Sequence, residues 1–136
     1  MSASLACTVA IALLLALDFV WLALLGAGQR FLTAVKSLGA APTWSAWQLG
    51  LLVAGAYVLL GWGLCSFAVL PALEQPSPRW SAVAKGALFG FVVYGVFDLT
   101  NLALFGSGYG FGLAASDMAW GTFVCGAAAL GGTLAA

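Results

Sequence analysis

Three of the four acidic residues, Asp18, Asp98 and Asp117, stand inside long apolar runs, where a carboxylate must either do chemistry or find partners. Each has polar neighbours about one helical turn away. Asp18 precedes Trp21 by three residues, Asp117 precedes Trp120 by three, and Asp98 lies three before Asn101 and four after Tyr94. Residues three or four apart share a helical face. The spacing therefore predicts an indole N–H beside Asp18 and beside Asp117, and an amide and a phenol flanking Asp98. A charged Asp at mid-membrane costs about 2.5–3.5 kcal/mol, so all three are expected to turn inward.

The chemistry open to such a set is limited. Carboxylates with Asn101 offer only oxygen ligands, suited to Mg²⁺, Ca²⁺ or Mn²⁺ rather than zinc. Histidine, the usual proton shuttle, is absent. No Asp-x-x-Asp run, Gly-x-Ser-x-Gly elbow, phosphate-binding loop or dinucleotide fingerprint occurs. No nucleophile is visible, so the residues assign neither a cofactor, nor a metal, nor a reaction. Cys7, Cys65 and Cys125 lie far apart in apolar runs and are expected to pack as small hydrophobes. Two Lys and two Arg form no basic stripe, which leaves nucleic-acid binding without support.

The elements that position these residues follow from composition. Hydrophobic residues make up 64% of the 136 and charged residues 6%, against a norm of about a quarter charged in soluble domains. Water is not the main solvent of this chain. A bilayer crossing takes about 20 apolar residues. Four stretches qualify: Leu5 to Leu25, Ala46 to Leu70, Ser81 to Phe105 and Leu113 to Leu134. The breaks are marked by Gly26 and Gly28, by Pro42, by Pro71, Pro76 and Pro78, and by Gly106, Gly108 and Gly110. The first stretch lacks a basic leader and carries Asp18, so it is expected to be a retained span rather than a signal peptide.

The expected fold is all-α: an integral membrane four-helix bundle forming one domain, with both termini on the same side. Gln29 to Leu38 spaces Phe31, Val35 and Leu38 along one face, which predicts a short interfacial helix in the first loop. Trp44, Trp47 and Trp80 stand at span entrances, where indole prefers the headgroups. Arg30 and Lys36 at one end balance Arg79 and Lys85 at the other, so loop charge sets no orientation. Alternating span direction carries all three acids to one half of the membrane, the half nearer the first loop and the glycine loop. Polar side chains in bundles also serve as interhelical glue worth roughly 0.6 kcal/mol per contact. Three acids in the same half of the membrane exceed that role. Gly86-x-x-x-Gly90 and the glycines of the fourth span are expected to permit close helix approach. Tyr57 and Trp62 are expected to fill space.

The segments Asp18-Phe-Val-Trp21-Leu22, Tyr94-Gly-Val-Phe-Asp98-Leu-Thr-Asn101-Leu102-Ala103 and Asp117-Met-Ala-Trp120-Gly121-Thr122 resemble the four-span membrane proteins of domain-of-unknown-function family 2177. The match in order and spacing extends along nearly the whole chain. The resemblance implies a four-helix membrane domain with Asp18, Trp21, Tyr94, Asp98, Asn101, Asp117 and Trp120 as its motif positions, and it implies no activity. The glycine loop departs from the family pattern, holding Tyr109 and Phe111 in place of a more polar, Trp-containing turn.

The residues thus lead to a first expectation: a module that binds or translocates a proton, a cation or a polar lipid headgroup. Asp98 would stand at its centre, with Asn101 and Tyr94 orienting it, Asp18 and Asp117 flanking it, and Arg30 or Lys36 folding over it. The alternative is a structural or accessory subunit of a larger membrane assembly. The third is a lipid-modifying enzyme. Expected partners are membrane lipids and other membrane protein subunits.

Overall fold

In the computed structural model, which describes residues 2–37, 39 and 44–136, all regular structure is helical. Four helices are long and apolar enough to cross a membrane: α1 (Ala3–Leu24), α3 (Ala46–Leu73), α4 (Pro78–Phe105) and α5 (Phe111–Ala135). The expected spans fall within them to a few residues. Helix α2 (Ala27–Ser37) occupies the first connection. Leu38 and Pro42, used above to draw its face and its end, lie outside the described residues.

Small residues bring the helices together. α4 and α5 run antiparallel in close contact: a methyl group on Gly86 would stand 2.5 Å from the Cys125 carbonyl oxygen, and one on Gly90 would collide with the Gly121 carbonyl. Across α1, Gly132 faces the Ala6 carbonyl in the same way. Without a hydrophobic force between helices in lipid, such backbone approach supplies the van der Waals contact that holds a bundle. The resulting core is made of Ala6, Ala10 and Leu14 of α1, Leu64, Ala68 and Val69 of α3, Ala82 of α4, and Val124, Cys125 and Ala128 of α5. The three cysteines are free: Cys125 lies in this core, Cys7 packs against it, and Cys65 is buried.

Two helices carry a widened turn that no residue pattern announced. α1 passes from α to π geometry over Val20–Leu24, and α3 does so over Cys65–Val69. The second lies just ahead of Pro71, which has no N–H to return to the Phe67 carbonyl. The first contains Trp21 and so sets the direction in which that indole points.

α2 turns Ala27, Phe31 and Ala34 toward the bundle, with Ala34 packing against Tyr109, Leu113 and Ala114. Val35 is exposed, because the helix rests on Ala34, whose small side chain admits the Tyr109 ring. Left-handed glycines close the α4–α5 connection, Gly106 at φ 59° and Gly110 at φ 82°, and between them Tyr109 is buried. A side chain with a Cβ rarely adopts these angles.

α3 divides in two. From Gly61 to Ala72 it contributes seven buried residues among twelve, whereas none of residues 46–60 is buried. That second half stands off from the bundle, and the space it leaves lies beside the acids.

Candidate functional site

The acids stand about two turns from the loop ends of α1, α4 and α5, and all three are buried. The expected span start at Leu113 set Asp117 only about one turn in; the helix begins at Phe111, which sets it deeper.

The indole donors reach their carboxylates across helices rather than along them. Trp21 of α1 donates to Asp117 Oδ1 of α5 at 2.7 Å, and Trp120 of α5 donates to Asp18 Oδ1 of α1 at 2.8 Å. The expectation of an acid bonded to its own helix's Trp is corrected, and the reason is geometric. α1 and α5 are antiparallel neighbours, so two Asp-x-x-Trp steps laid side by side set each Asp level with the opposite Trp. Three residues rise about 4.5 Å, and the two indoles stack with centroids 4.9 Å apart at 7°. Arg30 of α2 caps this stack, its guanidinium 5.3 Å from the Trp21 ring centre. That contact is worth about 0.5–1 kcal/mol where exposed. Lys36 is exposed and is not among the residues lining the cavity beside the acids.

Asp18 collects two further donors. The Tyr94 hydroxyl donates to Oδ2 at 2.8 Å and the Tyr57 hydroxyl to the same oxygen at 3.1 Å. Tyr94 therefore serves Asp18 and not Asp98, as its spacing had suggested. Tyr57 is a site residue rather than a space filler. It ties the outlying half of α3 to the bundle.

Asp98 is fully buried and receives the Tyr109 hydroxyl on Oδ1 at 2.6 Å. Asn101 makes no side-chain hydrogen bond to Asp98 among the described residues. Burial first, and then the bond to Asp98, push the Tyr109 phenol above its ordinary range, so it remains a donor at ordinary pH. The residue that looked like a departure in the glycine loop is thus the partner of the most buried acid. Asp98 Oδ2 has no hydrogen-bond donor among the described residues. Its acidic neighbour is Asp117.

A cavity of about 310 Å³ lies against this cluster. Asp18, Asp117, Tyr57 and Tyr94 supply its polar wall, and Leu22, Phe31, Ala56, Leu60, Val93 and Phe97 most of the rest. Asp98, expected at the centre, is not among the lining residues and sits behind Asp117. The volume falls at the lower end of small-molecule sites, about 300–1,000 Å³, with a few convergent polar groups in a mostly apolar wall. Among the described residues no three Asp, Glu or Cys side chains converge as ligands of one metal ion.

Four long apolar helices around a buried carboxylate cluster define an integral, multi-pass membrane protein. The family model described as predicted membrane protein, domain-of-unknown-function family 2177, matches residues 3–134, and the chain belongs to that family. No curated protein and no solved structure matches the chain.

Proposed function

We propose that this membrane protein is a binding module whose cleft receives a cationic or donor-bearing polar group at Asp18 and Asp117. The observation that carries the reading is that the cavity beside α3 is lined by two of the three buried acids. Asp18 already accepts three hydrogen bonds, one fewer than the roughly four a carboxylate can take. Asp117 accepts one from Trp21. Acceptor capacity therefore remains on the cleft wall, and a positively charged group fits two acids better than an anion does. Asp98 and Tyr109 position Asp117 from behind, while Trp21, Trp120 and Tyr94 fix the carboxylate planes. In this reading both termini share one side and α2 lies at the membrane surface, holding Arg30 over the site.

Thermal unfolding of the detergent-purified protein with butylamine tests this. The amine is expected to raise the unfolding midpoint of the native chain and to leave Asp18→Asn/Asp117→Asn unmoved. Equal shifts in both proteins, or an equal shift with butyrate, would refute the reading.

A second reading, an accessory subunit of a membrane assembly, is favoured by one observation: residues 46–60 of α3 carry an apolar face with no buried position. Another protein's helix would cover it. Extraction in mild detergent would then yield a stoichiometric membrane partner, whereas a homogeneous single chain counts against it.

A further inference from the structure

The placement of the cleft says how its ligand arrives. Its rim is formed by Ala56 of α3 and by Val93 and Phe97 of α4, all three exposed. In a bilayer, apolar rim residues on the outside of a bundle touch acyl chains rather than water. Asp18 lies six residues before the end of α1 at Leu24, roughly 9 Å in at 1.5 Å per residue. That depth is inside a hydrocarbon layer about 30 Å thick. Only α3 borders the opening from the far side, and Tyr57 is the one side-chain hydrogen bond joining residues 46–60 to the bundle among the described residues.

We propose that the cleft is a lateral port taking a long-chain amphiphile with an amine headgroup from the bilayer, the amine meeting Asp18 and Asp117 while the chain lies between α3 and α4. This rests on the carboxylate reading above and adds to it the ligand's chain and its route. Charge complementarity selects the headgroup. Two acids line the wall and no Lys or Arg does, so an anionic head meets like charge there. The wall selects the chain: Leu22, Leu60 and Val93 give it apolar contact that a short amine leaves unused. The hydrogen bond from Tyr57 to Asp18 holds α3 against α1 beside the opening, and its release widens the opening without unpacking the glycine-rich half of the bundle.

The test uses the full chain in phosphatidylcholine nanodiscs with a long-chain primary amine bearing a diazirine on its chain. After illumination, label is expected on residues 56–60 and 93–97. Ala56→Trp, which fills the rim, should reduce it about tenfold, whereas Leu59→Trp, on an exposed face away from the cleft, should leave it unchanged. Unlabelled dodecylamine should compete at least about tenfold better than butylamine or dodecanoate.

Label spread evenly over outward residues such as Phe123, or indifference to Ala56→Trp, overturns the port. So does a cross-linked protein adduct at the rim in its place. If butylamine competes as well as dodecylamine, the chain and route fall while the carboxylate reading stands. If Asp18→Asn/Asp117→Asn labels like the native chain, the carboxylate reading itself falls.

Discussion

The two halves of the bundle are built on opposite principles. Toward the chain ends, Gly86, Gly90 and Gly132 let backbones touch, and Ala6, Ala10 and Ala128 fill what remains. Toward the loops the contacts are long polar side chains, with Trp21, Trp120, Tyr57, Tyr94 and Tyr109 all donating to carboxylates. One half is held by shape and cannot open without losing all of its contact. The other is held by discrete hydrogen bonds and leaves a cavity of about 310 Å³. A protein that must admit something from the membrane needs both, a rigid clamp at one end and a wall that can yield at the other.

The largest effect that would break this comparison is expected from Asp18→Leu. It strands the donors of Tyr57, Tyr94 and Trp120, each costing about 1–3 kcal/mol when buried without a partner. The detergent-solubilised protein should lose a folded transition, while Asp18→Asn, which keeps one acceptor oxygen, should retain it.

Next come two substitutions that read the halves against each other. Gly90→Ala pushes a methyl group into the Gly121 carbonyl and should cost about 1–3 kcal/mol through overpacking. Gly55→Ala, in the open half of α3 with nothing within 4 Å, should be neutral or stabilise by about 0.5–1 kcal/mol. Thermal unfolding in one detergent measures both. Equal destabilisation would show that the halves do not differ.

Much of this organisation is legible in the sequence. Four spans follow from hydropathy alone, and the placing of the acids in one half of the membrane follows from counting span directions. The crossed pairing was not legible, because it depends on α1 and α5 being neighbours, and span order does not say which helices touch. Once that adjacency is given, two antiparallel Asp-x-x-Trp steps dictate it. Tyr57 and Tyr109 escaped because a tyrosine in an apolar run suits either packing or hydrogen bonding, and their partners lie 39 and 11 residues away. The open half of α3 is invisible for a simpler reason. A helix reads equally apolar whether lipid or protein covers it. The π turn at Val20–Leu24 has no propensity signature either, yet it directs Trp21 toward Asp117.

The smallest expected effect sharpens the polar half. Trp21→Phe and Trp120→Phe each remove one indole donor and should cost about 0.5–1.5 kcal/mol. Because the rings stack on each other, the double substitution should depart from the sum by about 0.5–1.5 kcal/mol. A double-mutant cycle in unfolding free energy checks this, and strict additivity would mean that the stack contributes nothing.

The central claim is that Asp18 and Asp117 face a common cleft that takes an amine from the membrane. Solid-state NMR of the reconstituted chain, with ¹³C-labelled Asp and Glu and ¹⁵N-labelled dodecylamine, tests it most directly. The account predicts dipolar contact between the amine nitrogen and the carboxyl carbons of Asp18 and Asp117, with the charged groups within about 4 Å. Contact confined to Glu74 in the α3–α4 connection, or no contact with any carboxyl carbon, would contradict it.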